Sequence, residues 1–425
     1  MNLVAAAALV IGTIAAFAVV TPVARRTGLG LVHPAIAWLG LETAFFGIGS
    51  AWLALSDERV QPALDVAAAL LAFAVGLVTS DALARRRGRR EPARADQADR
   101  PSLAPGGPPV RPFAVVGLAA LGAIVLLPTI ASVGLPFLAG DITAARVEIG
   151  GLDLQPIRVF LPAAILVAVL ALTSRGSRRS ATWALTLVVV AIAAELVLAS
   201  RYLAVELVAI LIVGLSLAGR RIATRPAIGI ALIGVAIFAG VGVLRAYDQA
   251  AGREVAFAVE RTVNRVVLIQ PRTLDALQTA IPADQPFLLG LTWIRRLAPA
   301  LGRTDVPNLG YWIYPRLFPD QAVPGYAAPG LLGEAWANFG WLGSLLFVAV
   351  GILAERLGSV VAARRRSLAD IAAGSVLIVF LARTHALGVD GFAVLVVLTL
   401  GWRLLAAPLD GLDATIRAAL SWRPT

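Results

Sequence analysis

The stretch 181-ATWALTLVVVAIAAELVLASRYLAVELVAILIVGLSLAG-219 decides the class of this fold. Two apolar runs, 181–200 and 202–219, meet at one polar point, Ser200-Arg201. A helix needs about 20 apolar residues to cross a hydrocarbon layer, and each run is close to that length. A connection this short makes the two helices an antiparallel pair. The pattern repeats along the chain, with further apolar stretches at about 2–22, 32–55, 62–83, 113–134, 157–173, 226–244, 328–354, 368–386 and 389–407. Across the 425 residues, 59% are hydrophobic and 15% charged. Soluble domains carry about 25% charged residues, so an ordinary soluble enzyme, a secreted disulfide scaffold and a disordered regulator are excluded. The first stretch has no basic leader and is followed by Arg25-Arg26, which reads as a retained span and not a signal peptide.

The net charge is +11, and every one of the 37 basic residues is arginine. Short arginine-rich loops stay on the cytoplasmic side. Arg25-Arg26, the run Arg85 to Arg111, Arg175/Arg178/Arg179, Arg220/Arg221/Arg225 and Arg356/Arg364/Arg365/Arg366 all fall on one side when the spans are counted. The N-terminus is then outside, and the C-terminus, with Arg403, Arg417 and Arg423, is cytoplasmic. The expected protein is an all-α polytopic integral membrane protein of the plasma membrane, with about 11 transmembrane helices. Residues 1–244 form a bundle of about eight spans, interrupted by a disordered, solvated linker at 85–112. Residues 245–327 form a large helical extracytoplasmic loop, and 328–425 form about three spans and a cytoplasmic tail. No internal repeat is visible. The chain has no cysteine and only two histidines, His33 and His385. Thiol chemistry and a multi-histidine metal site are therefore not expected, and the absence of lysine removes a Schiff base.

The external loop holds arginines that orientation does not require: Arg245, Arg253, Arg261, Arg265, Arg272, Arg295, Arg296, Arg303 and Arg316. Val255, Val259, Val263 and Val266/Val267 recur at helical spacing, and Pro271 is expected to break that helix. A second helix is expected after Thr273 as N-cap, and a third over about 288–301. These arginines either pair with acids and lipid phosphates or grip an anionic ligand, for which a planar guanidinium is suited. Ionisable groups also gather at the outer ends of spans. They are Glu195 and Glu206 around Arg201, then Glu334 with Asn338 on one helical face, then Arg383 and His385. Gly330, Gly333 and Gly340 are expected to permit close helix packing. Glu42, in mid-span, is expected to be a hydrogen-bonded packing residue, and His33 has no assigned role.

The stretch Gly330-Leu-Leu-Gly-Glu334-Ala-Trp-Ala-Asn338-Phe-Gly340-Trp-Leu-Gly343 resembles the span after the large loop of oligosaccharide repeat-unit polymerases, the O-antigen polymerase (Wzy-like) family. Ser200-Arg201 resembles that family's earlier Ser-Arg signature, and Arg245 and Gly290 fit its layout. The resemblance covers about residues 180–400. It implies a GT-C-like membrane glycosyltransferase that polymerises polyprenyl-diphosphate-linked oligosaccharide on the outer face of the membrane, without a nucleotide sugar or other cofactor. Partners implied are the lipid-linked glycan, membrane lipid, and a chain-length regulator or flippase; nucleic acid is not expected. Glu334 and His385 would accept the proton of the attacking hydroxyl, with Arg201 beside them. Arg201, Arg245, Arg265 and Arg272, then Arg295, Arg296 and Arg383, would neutralise the leaving diphosphate. Asn338, Gly330, Gly333, Glu195 and Glu206 would support the site. No Asp-x-Asp motif opens a loop, so a metal-independent reaction is expected. The competing readings are an O-antigen-ligase-like transferase, a transporter or flippase of lipid-linked glycans, and a non-catalytic envelope scaffold.

Overall fold

The computed structural model describes residues 2–57, 59–86, 178–197, 201–219, 263–295, 306–319, 325–364 and 368–384. It also describes Ala131, Ala164, Ile165, Ala168, Val169, Leu172, Ala256, Val259, Glu260 and Gly388. The described residues form helices and turns, with no strand among them. The expected spans at 113–134 and 226–244, nearly all of those at 157–173 and 389–407, and the linker after Arg86 lie outside the described residues. So do Arg245, Arg296 and His385.

The chain divides into two compact units. The first joins Met1–Ala98, Val263–Ala363 and Phe380–Gly401, and the second joins Asp99–Thr262, Arg364–Val379 and Trp402–Thr425. The first unit is built on α1 (Leu3–Arg26), α2 (Pro34–Glu42), α3 (Ile48–Ser56) and α4 (Val60–Arg86). Among the described residues, four stretches are long and apolar enough to cross a membrane: Leu3–Arg26, Pro34–Ser56, Val60–Arg86 and Gly330–Ala363. The last two residues of α4, Arg85 and Arg86, were expected in the linker. They stay helical because Arg85 pairs with Asp81, one turn back, at 2.9 Å.

The starts of α1 and α2 are capped by side chains. Asn2 accepts from the Ala5 amide at 3.2 Å. His33, given no role by the sequence, is the N-cap of α2: its Nδ1 accepts from the Ala35 amide at 3.1 Å. That satisfies one of the amides a helix start leaves unpaired.

The core is closed by aromatic stacking and by glycines. Trp38 stacks on Phe73 with ring centroids 4.2 Å apart and leans on Phe347 at 5.6 Å. Its indole N–H donates to Thr384 Oγ1 at 3.1 Å. Gly76 lies against the Val348 carbonyl and Gly351 against the Phe73 carbonyl, so the two helices touch backbone to backbone. Such approach substitutes for hydrophobic drive where lipid is as apolar as protein.

Charges cluster at the two ends of α4. At its C-terminal end the buried Asp81 takes Arg26 at 2.7 Å as well as Arg85. Nearby, Ser80 donates to Glu355 at 2.5 Å and Ser359 to the other carboxylate oxygen at 2.6 Å. Arg356 donates to Ser80 at 3.2 Å. Three of the arginine-rich loops expected on one side thus meet at one end. At the other end, about 39 Å away by helical rise from residue 59 to residue 85, Arg59 faces Asp275 at 3.8 Å.

Asp275 belongs to α5 (Ile269–Ala280), whose placement corrects the expected break at Pro271. Pro271 sits in the first helical turn, where its missing N–H has no partner to lose. Thr273, expected as a cap, lies inside the helix and donates to the Ile269 carbonyl at 2.7 Å. The loop segment that holds α5 packs on the spans. Gly49 of α3 accommodates the Val267 carbonyl and the Pro271 ring, and Gln278 donates to Asp65 of α4.

A π-helical turn, Thr43–Gly47, separates α2 from α3, and a second, Asn264–Leu268, precedes α5. Glu42 lies at the first of these. It is fully buried, as expected, but among the described residues neither carboxyl oxygen has a hydrogen-bond partner, which corrects the expected hydrogen-bonded role. The widened turn that follows Glu42 interrupts the regular ladder at this point.

The second unit contains the pair read from sequence, α6 (Arg178–Val197) and α7 (Arg201–Leu217). Gly214 of α7 lies against Val169 and Ser375.

Candidate functional site

The site is built on the first unit's α8 (Gly330–Phe339), the helix of the Gly-Glu and Asn-Phe-Gly motifs. It was expected as part of one continuous span from 328 to 354. Instead it stops at Gly340, whose φ of 56° and ψ of −135° are open only to glycine. A 3-10 segment, Gly340–Leu345, folds Gly343 back onto the Ala335 carbonyl, and α9 (Leu346–Arg364) then begins. Val348 lies beside Gly76, so α9 starts near mid-length of α4.

Of the three glycines expected for helix packing, Gly333 serves it: a Cβ there would lie 3.0 Å from Leu277 Cδ1 of α5. Gly330, at φ 64°, serves the backbone turn into α8. Gly340 serves its own backbone turn and also sits under the Phe287 ring, 2.9 Å from a built Cβ.

Glu334 is half-buried. Its carboxyl group rests on Gly388, where a Cβ would lie 2.5 Å from both Cδ and Oε1. Gly388, at φ 63°, follows Arg383 by five residues and His385 by three. The helix before it, α10 (Leu368–Ala382), ends beside Thr384, which the Trp38 indole holds. Arg383 donates its amide to the Phe380 carbonyl at 3.1 Å and lays its guanidinium over the Phe380 ring at 5.2 Å. The structure thus brings Glu334 to Gly388, five residues beyond Arg383.

A second arginine-bearing segment reaches the same helix. Leu288 and Leu289 donate their amides to the carbonyls of Ala337 and Asn338 at 3.0 and 3.1 Å. The Asn338 side chain accepts from the Gly290 amide at 2.8 Å and donates to Thr292 Oγ1 at 2.5 Å. Trp293 meets Phe339 edge to face at 5.2 Å. Arg295, half-buried, closes this segment. Trp336 donates its indole N–H to the Ile281 carbonyl at 3.3 Å, tying α8 to the end of α5.

Other expected residues are placed elsewhere. Arg272 is exposed on α5, on a different face from Leu277, which presses on Gly333. Arg265 lies in the π turn before α5. Glu195, Arg201 and the buried Glu206 belong to α6 and α7 of the second unit. Among the described residues no three His, Asp or Glu side chains come together.

Sequence reasoning did not single out Thr292 or Gly388. Gly388 carried a signal, as a glycine between two apolar runs, where chains turn. Thr292 carried none, because its partner Asn338 is 46 residues away.

No family model, no curated protein and no solved structure matches this chain. Function therefore has to be argued from the site. A carboxylate on a helix that also holds an arginine-bearing segment can take a proton from a hydroxyl while guanidinium groups neutralise an anionic leaving group.

Proposed function

We propose that this chain is a membrane glycosyltransferase that polymerises polyprenyl-diphosphate-linked oligosaccharide repeat units on the outer face of the plasma membrane. The observation that carries the reading is the Glu334 carboxyl resting on Gly388, five residues after Arg383, on the same helix whose Asn338 binds the segment ending in Arg295. The resemblance of Gly330–Gly343 and Ser200-Arg201 to the O-antigen polymerases points the same way.

A hydroxyl of the acceptor sugar attacks the anomeric carbon of the lipid-linked donor glycan. The glycosidic bond forms, the bond to the diphosphate oxygen breaks, and the hydroxyl proton passes to Glu334, with His385 as the alternative acceptor. The lipid diphosphate leaves with its charge met by Arg295 and Arg383. Electrostatic help of this kind is a large catalytic contribution in a site sheltered from water. No nucleotide sugar enters, and no cofactor or metal is needed for these steps.

In the same reading the chain has about 11 spans, an external N-terminus and a cytoplasmic C-terminus. Arg26, Arg85 and Arg356 meeting at one end of α4 supports that topology. The test is glycan length in cells that depend on this chain. Single alanine variants of Glu334, Arg295, Arg383 and His385 are expected to shorten or abolish the ladder of products. Normal ladders from all four at native expression would defeat the assignment. A ligase-like activity would instead give one capped acceptor and no ladder.

A second reading, carriage of lipid-linked glycan across the membrane, is favoured by Glu42. A carboxyl buried at mid-span without a hydrogen-bond partner among the described residues is the kind of group transport pathways use. Purified protein that moves labelled lipid across liposomes, without forming a bond, would establish it.

A further inference from the structure

Asn338 is fully buried, and its side-chain amide makes three hydrogen bonds. Oδ1 accepts from Gly290 at 2.8 Å, while Nδ2 donates to Thr292 Oγ1 at 2.5 Å and to the Glu334 carbonyl at 2.7 Å. A buried amide with both ends engaged is fixed in orientation and costly to disturb. The bonds run in two directions, one along α8 to Glu334 and the others across to the 288–295 segment.

That segment is a run of turns closed by i→i+3 backbone bonds. Leu291 donates to Leu288 at 2.9 Å, Trp293 to Gly290 at 3.1 Å, Ile294 to Leu291 at 3.2 Å and Arg295 to Thr292 at 3.3 Å. The last of these bonds keeps Arg295 within one turn of Thr292, whose hydroxyl meets Asn338. On α8, Glu334 and Asn338 are four apart and share a face. The Thr292–Asn338 bond thus ties the turn that ends in Arg295 to the face of α8 that carries Glu334. Leu289, held at φ 48°, is a leucine in a conformation that few bulky residues adopt. The same contacts hold it there.

We propose that Asn338 and Thr292 are positioning residues that set Arg295 in register with Glu334, so that a diphosphate is neutralised beside the carboxylate. This rests on reading the site as one that binds a lipid diphosphate. Asn338 and Thr292 act through Arg295 and do not touch the ligand themselves, so their effects vanish when Arg295 is gone.

The test is a double-mutant cycle on the full-length chain in detergent, with farnesyl diphosphate as the probe and its Kd as the readout. Thr292→Val, which keeps the shape and removes the hydroxyl, is expected to weaken binding about tenfold. Thr292→Ser, which restores the hydroxyl, is expected to bind like the native chain, and Asn338→Ala to weaken binding at least as much as Thr292→Val. In an Arg295→Ala background, Thr292→Val is expected to add nothing further. An equal loss in both backgrounds would overturn the proposal, as would native binding by Thr292→Val. If Asn338→Ala does not fold, the Thr292 pair decides alone. A native chain that does not bind farnesyl diphosphate would sink the transferase reading together with this one. A native chain that binds, with additive variants, would sink only the positioning role.

Discussion

Glu334 rests its carboxyl group so closely on the α-carbon of Gly388 that no side chain fits between them: a Cβ built on Gly388 lies 2.5 Å from the carboxyl carbon. Gly388 is also at φ 63°, where an L side chain is strained for a second reason. The two effects act together at one position.

Gly388→Ala is therefore expected to push Glu334 off its seat and to cost about 1–3 kcal/mol of stability. Thermal unfolding and product-ladder length check this in parallel. An alanine variant with native melting and native ladders would show that the contact does not constrain the acid.

Glu334→Gln keeps shape and packing while removing the proton acceptor. A loss of about 10²–10⁴-fold in elongation rate is expected if Glu334 acts as the base. Arg383→Ala and Arg295→Ala are each expected to lose about 10²–10³-fold, the scale of removing one charge-stabilising donor. Under the proposed transferase reading, initial rates of the purified chain with lipid-linked substrate measure both. A glutamine variant that elongates at the native rate removes Glu334 from the chemistry.

Gly340→Ala tests the helix break. The residue needs a backbone conformation closed to alanine and lies under Phe287, so a loss of about 1–3 kcal/mol is expected. The readout is the melting temperature of the purified chain. No change would mean that α8 and α9 can run on as one helix.

The pH dependence of stability tests the contact between the loop and α4. Burial pushes the Asp275 carboxyl above its ordinary range; Arg59 opposes the shift and Asp57 adds to it. With the folded pKa above the unfolded one, the folded state holds a proton that the unfolded state releases. Stability from this group then falls as pH rises through the raised value and returns on acidification. The native chain is expected to gain more in melting temperature than Asp275→Asn between neutral pH and the carboxylate range. Identical pH profiles would show that Asp275 is not buried against Arg59.

The membrane character of the fold was legible because it rests on a local quantity, the length of apolar runs. Leu3–Arg26 and Val60–Arg86 fall where the runs at 2–22 and 62–83 lie. The break at Gly340 was not legible, since the sequence is apolar on both sides and only the backbone angles of one glycine make the turn. Pro271 misled for a related reason: proline ends a helix from within but is accepted in the first turn, and position within the turn is not written in composition. That Glu334 and Asn338 share one helical face was legible because they are four apart on one helix. Thr292 and Gly388 were not, because tertiary contacts across long stretches of chain place them.

The corner at Gly340 bears on how freely the chain around α8 can move. Where α8 gives way to the 3-10 segment, the backbone is no longer covered by regular helical bonding, and hydrocarbon tolerates no bare amides. Phe287, Trp293 and Trp336 cover this place, and the Leu288 and Leu289 amides are spent on α8 carbonyls. Peeling 287–295 away would strip that shelter and orphan those amides at once. This stretch is therefore fixed against α8 and not a hinged cover; under the proposed function, a long-tailed lipid has to slide in past its edge.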